Sequence, residues 1–89
     1  MKAIHRTSQF KKDIKRMGKR GKKFTVFKEI VEQLVMGNPL ETKYRDHVLV
    51  GQYKGTRECH IEPDWLLVYE LTENEIILVR TGTHSDLFI

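Results

Sequence analysis

The sequence predicts a single α+β domain: a short N-terminal strand and a two-helix hairpin packed on a mainly antiparallel sheet of four to five strands, with a short C-terminal turn or helix. Three observations carry this. Apolar residues recur at helical spacing between Phe10 and Val35, then at strand spacing from Tyr44 onward. Glycine and proline stand where the period changes. Both helical segments precede the main strands, whose short connections join neighbours antiparallel, so the hairpin covers one face of the sheet. A chain of 89 residues, 39% hydrophobic and 31% charged, makes one core and leaves no room for a second, so residues 1–89 form one domain.

In order, Ala3 and Ile4 allow a short strand, and Thr7 or Ser8 can cap a helix by accepting a backbone N–H bond. Phe10, Ile14 and Met17 share one face of that helix, which Gly18 and Gly21 should end. Phe24, Phe27, Ile30, Val31, Leu34 and Val35 trace a broad stripe on a second helix, stopped by Gly37 and Pro39. A link this short makes the two helices antiparallel. Val48, Leu49 and Val50 read as a short strand following His47, and Lys54–Gly55 as a tight connection. Next, Arg57, Cys59 and Ile61 point one way and Glu58, His60 and Glu62 the other. Pro63–Asp64 turns the chain. Residues 65–71 are apolar on both faces except at Glu70, as in a central covered strand, and residues 76–80 return beside it. Gly82 should break that strand, leaving residues 83–88 as a loop or one helical turn.

The net charge of +4 hides an asymmetry. Residues 1–28 hold eleven Lys or Arg against one acid, Asp13, while residues 29–89 hold five basic and eleven acidic residues. A basic segment this dense fits a polyanionic partner, because neutralising phosphates releases counterions. The chain has no apolar run near the ~20 residues that span a bilayer and no apolar signal core, so no membrane association or secretion is expected. Cys59 is the only cysteine, which excludes an intrachain disulfide framework and fits a reducing cytoplasm.

His47, His60, Asp64 and His84 stand at strand ends, where an antiparallel sheet can gather them on one edge, and histidine both gives and takes protons near neutral pH. Metal ligation is the competing use of such side chains. Here no close His or Cys pair has zinc spacing, and Cys59 and His60 point to opposite faces, so no metal and no cofactor are expected. Cys59 shares a face with Ile61, which suits a core thiol better than a nucleophile. Arg57 and Arg80 could each hold a phosphate or pair with a neighbouring glutamate. Trp65 reads as core, but its place beside the Asp64 turn also makes it a candidate for substrate binding. Phe88, penultimate in the chain, could stack on a base.

The segments Arg45-Asp46-His47, Gly51-Gln52-Tyr53-Lys54-Gly55, His60-Ile61-Glu62-Pro63-Asp64-Trp65 and Arg80-Thr81-Gly82-Thr83-His84-Ser85-Asp86-Leu87-Phe88 resemble the YafQ-like branch of the RelE/ParE superfamily. Its members are toxins of type II toxin–antitoxin systems. The resemblance implies a RelE-like fold and an mRNA interferase that cuts messages on the ribosome by activating a ribose 2′-hydroxyl without metal. It also implies silencing by a cognate antitoxin, expected to be acidic. The family's functional positions fall on His47, His60, Asp64, His84 and Phe88. RelE-type relatives use Lys, Arg and Tyr instead, and Tyr44 and Tyr53 lack those motifs around them.

The expected partners are therefore the antitoxin, the ribosome with its mRNA, and operator DNA reached through the antitoxin complex. Ribosomal RNA would be held by Lys11, Lys12, Lys15, Lys19, Arg20, Lys22 and Lys23. A function of a different class fits the same basic helices: a non-catalytic nucleic-acid-binding module acting with its antitoxin as an operon co-repressor.

Overall fold

A computed structural model of the chain describes residues 1–51 and 55–88. The elements run β1 (Ala3–Arg6), α1 (Ser8–Lys19), α2 (Thr25–Val35), a single 3₁₀ turn (Thr42–Tyr44), β2 (His47–Val48), β3 (Arg57–Glu62), β4 (Trp65–Leu71), β5 (Glu75–Gly82) and α3 (His84–Leu87). The five strands form one mixed sheet in the order β1-β5-β4-β3-β2. Only β1 runs parallel to its neighbour, β5, and the other pairings are antiparallel. The expected Lys54–Gly55 connection and the Gln52-Tyr53-Lys54 part of the family segment lie outside the described residues.

Local chemistry explains the helices. The Thr7 hydroxyl accepts from the Phe10 N–H and caps α1. The helix continues through Gly18 to Lys19, and Gly21 follows it with φ of 83°, so only the second of the two expected glycines lies beyond the end. Phe10 stacks on Phe27 with ring centroids 6.0 Å apart, and Gly18 lies beside Phe24, so α1 and α2 are antiparallel. Their inner faces and the sheet bury Phe10, Met17, Ile30, Leu34, Cys59, Leu67, Tyr69, Ile76 and Leu78. Burial pushes the Cys59 thiol up to about 12, which fits its place in the core.

Trp65 belongs to this core and not to a substrate surface, which corrects one expectation. It is fully buried, lies flat against Phe27 at 6.3 Å and edge-on to Phe24 at 5.6 Å, and donates its indole N–H to Thr81 Oγ1 at 2.8 Å. The strand alternation that puts Cys59 and Ile61 inward puts this ring there too.

Two strands differ from the sequence expectation. The strand expected at residues 48–50 is β2, two residues long, and His47 lies within it. Past β2 the Leu49 N–H bonds the Thr56 carbonyl. The last strand runs through Gly82 instead of breaking there, because Gly82 still pairs with Leu66.

Candidate active site

The sheet face opposite the helices carries the titratable groups, and strand register fixes their order. Cross-strand partners in an antiparallel sheet share a face. His47 pairs with Glu58, Glu58 with Val68, and Val68 with Arg80, which makes one row from β2 to β5. The next row holds His60 against Leu66 and Leu66 against Gly82. With strands ~4.8 Å apart, the two histidines become neighbours and Arg80 stands further along the same face. Leu87 of α3 packs on Leu66 and Val68, so the short helix closes the end of this face and brings its own His84 to it.

The three histidines and Phe88 follow one another in space. Ring centroids lie 6.4 Å apart from His47 to His60, 5.9 Å from His60 to His84, and 6.1 Å from His84 to Phe88. Each histidine faces an oxygen. His47 Nε2 is 2.9 Å from Glu58 Oε2, and its Nδ1 is 2.7 Å from the Arg45 carbonyl. His60 Nε2 is 3.9 Å from the same Glu58 oxygen. His84 Nδ1 lies 2.9 Å from Asp64 Oδ1, which also accepts the His84 backbone N–H at 3.1 Å. The hydrogen bond from the His84 ring, and then that from its backbone, hold the Asp64 carboxyl below its usual range. Asp64 is therefore a carboxylate that orients His84, and His84 Nε2 is the nitrogen turned away from it.

Sequence reasoning missed two residues here. Glu58 is 5% exposed and lies between His47 and His60. Its signal was available, since alternation sets Glu58, His60 and Glu62 on one face. The other is Asp13, fully buried within the apolar stripe of α1 and the one acid among eleven basic residues.

The two arginines part company. Arg80 shares the face of the histidines and places Nε 2.8 Å from Asp13 Oδ2. Arg57 lies on the helix side of the sheet, in register with Tyr69, and its Nε and Nη2 reach Asp46 at 3.3 and 3.0 Å. The expectation that Arg57 joins the site is corrected. It braces the residue before His47, where Asp46 also accepts from the Tyr69 hydroxyl.

Basic residues after α1 frame the site. Arg20 makes a two-pronged pair with Asp86 at 2.7 and 3.0 Å, and Lys22 bonds Glu62 at 2.8 Å. Both were expected to face RNA, and in the structure they tie α1 to α3 and to the β3–β4 turn. The Arg20 guanidinium holds the Asp86 carboxyl well below the usual carboxylate range. Lys11, Lys12, Lys15, Lys19 and Lys23 are exposed.

Asp86 also receives the Thr83 N–H at 2.9 Å while Thr83 Oγ1 accepts from Asp86, a reciprocal cap on α3. This leaves no room at Gly82, where a Cβ would meet the Asp86 Cβ and carboxylate at 2.9 Å. Gly82→Ala should therefore displace α3, cost roughly 1–3 kcal/mol as overpacking does, and weaken any activity that needs His84. Thermal denaturation and an activity assay check this, and an unchanged midpoint with full activity would refute it.

Among the described residues no group of three or more His, Cys, Asp or Glu is arranged to hold a metal ion, and no helix is long and apolar enough to cross a membrane. The family model for YafQ, described as a bacterial toxin of type II toxin–antitoxin systems, matches residues 2–89. The chain is 42% identical over 86 residues to the mRNA interferase toxin YafQ of Escherichia coli K12, covering 96% of this chain and 94% of that one. The E. coli DinJ–YafQ complex contains a similar fold, with a TM-score of 0.92, 40% identity and full coverage of both chains. A metal-bound toxin from Helicobacter pylori is similar with a TM-score of 0.92 and 43% identity, over 99% of this chain and 100% of that one.

Proposed function

The chain belongs to the YafQ family of type II toxin–antitoxin toxins, and from that premise we propose that it is an mRNA interferase, a ribosome-dependent endoribonuclease acting in the cytoplasm. The observation that carries the reading is the run of His47, His60, His84 and Phe88 on one open face, with Glu58 and Asp64 holding the histidines. Cleavage by an internal 2′-hydroxyl needs a base, an acid and a cation for the phosphate. One imidazole takes the 2′-hydroxyl proton, O2′ bonds to phosphorus, and the P–O5′ bond breaks. A second imidazole protonates O5′, leaving a 2′,3′-cyclic phosphate and a 5′-hydroxyl. Arg80 holds the phosphate, and Phe88, 38% exposed beside His84, stacks on a base.

The proton carriers are all side chains of the protein, so the reaction as proposed is metal-independent. The E. coli relative is seen in a complex with DinJ, and this chain is held inactive by a cognate acidic antitoxin of its own. That partner folds as it wraps the basic helices, and the complex contacts operator DNA through the antitoxin.

Induction without the antitoxin should stop growth and produce new 5′ ends inside translated messages, and these ends should vanish when the start codon is removed. Intact transcripts in arrested cells would instead favour the non-catalytic binding module. Stoichiometric metal in purified protein, lost together with activity on chelation, would overturn the metal-free chemistry.

A further inference from the structure

We propose that Asp13 is a positioning residue for the reaction, a buried carboxylate on the basic helix α1 that sets the guanidinium of Arg80 for the scissile phosphate. This rests on the reading of Arg80 as the phosphate-binding residue. Asp13 is fully buried, and among the described residues its carboxylate receives five hydrogen bonds. Arg80 gives two, from Nε at 2.8 Å and Nη2 at 3.2 Å. Arg16 Nη2 gives one at 2.9 Å, Gln9 Nε2 one at 3.2 Å, and the Thr81 backbone N–H one at 3.1 Å.

Sheet topology explains why a carboxylate stands there. β1 pairs with β5 only as far as Leu78, and α1 begins where β1 stops. Beyond that point Thr7 Oγ1 donates to the Val79 carbonyl, and Asp13 takes the Thr81 N–H that a longer β1 would have bonded. The carboxylate thus completes the strand edge with one oxygen and grips the neighbouring arginine with both. A two-pronged carboxylate–guanidinium pair fixes the plane of the arginine, which a single contact does not. Burial alone would raise the Asp13 pKa. The bonds from Arg80, Gln9 and Thr81 outweigh it and bring it below the ordinary value, so the group is charged at neutral pH. Two guanidiniums on one carboxylate leave the seam with a surplus positive charge beside the catalytic face. Arg16 also lies 3.9 Å from Asp86, so α1 supports Arg80 and α3 from one helix edge.

A structural role alone would change stability, whereas a positioning role acts through Arg80. The test is single-turnover cleavage of ribosome-bound message, with the rate at saturating ribosome separated from the half-saturating concentration. Arg80→Gln should lower the saturating rate on the order of 10²-fold, as removal of one charge-stabilising donor does. Asp13→Asn, which keeps an oxygen for Thr81, should lower the same rate by a comparable factor and leave the half-saturating concentration unchanged. The double variant should be no slower than Arg80→Gln, because residues acting as a unit are not additive. Arg80→Lys keeps the charge and every other donor to Asp13 but loses the fork. It should fall as far as Arg80→Gln, and it decides alone if Asp13→Asn does not fold. Multiplied losses in the double variant, a normal rate in Asp13→Asn, or a normal rate in Arg80→Lys would overturn the role of Asp13. A normal rate in Arg80→Gln would overturn the phosphate-binding reading beneath it.

Discussion

His84→Ala should lower cleavage of ribosome-bound message by ~10²–10⁴-fold, the usual contribution of one general acid or base, while the fold and ribosome binding persist. The side chain is exposed and makes no part of the core, so its truncation leaves no cavity. α3 keeps its reciprocal Thr83–Asp86 cap and its Arg20–Asp86 anchor, neither of which involves the imidazole. What is lost is Nε2, the ring atom left facing the reaction once Asp64 takes Nδ1. Asp64→Asn should cost less than His84→Ala, since an amide oxygen can still accept the Nδ1–H while the carboxylate charge beside the ring is gone. Growth arrest on induction, message-end mapping and a circular dichroism spectrum check this together. If His84→Ala arrests growth as quickly as the wild type with the same message ends, the proton-transfer role belongs elsewhere on the face.

How much of this was legible in the sequence depended on range. The hairpin, the central strand at residues 65–71 and the turn at Asp64 follow from periods and breakers, which act within a few residues. The histidine cluster was foreseeable as a set because the sequence puts His47 at the start of a strand, His60 close to the Asp64 turn and His84 just past Gly82. Asp64 was foreseeable with them, and alternation already put Glu58 on the face of His60, but its pairing with His47 requires the β2–β3 register, which no local pattern encodes. Arg57 and Arg80 look alike in sequence, each in a strand beside a glutamate or threonine, yet alternation puts them on opposite faces. The bulge between Val68 and Tyr69 resets that alternation in β5, so counting residues from β4 could not have found the side of Arg80. Trp65 was ambiguous for a similar reason. Proximity to Asp64 in sequence suggested the site, and the pleat sends the two side chains apart.

Charge reversal at Lys11, Lys15, Lys19 and Lys23 should weaken ribosome binding and toxicity and leave the set of cut sites unchanged. All four side chains are exposed, and α1 buries Phe10, Asp13 and Met17 on its other side, so the lysines form an outward surface. Arg20 and Lys22, expected in the same surface, already hold Asp86 and Glu62. Leaving them intact keeps the site framed, which separates loss of docking from loss of catalysis. Each phosphate contact adds ~0.7–0.9 to the slope of log affinity against log salt, so four lost contacts should flatten that slope by about 3. Phosphate contacts position a protein without reading bases, so the ends that remain should map to the same positions at lower yield. Sedimentation with ribosomes across a salt series measures the slope, and end mapping measures the sites. Normal binding at physiological salt with full toxicity would mean that these lysines are only a solvated face and that the ribosome is held by another part of the surface.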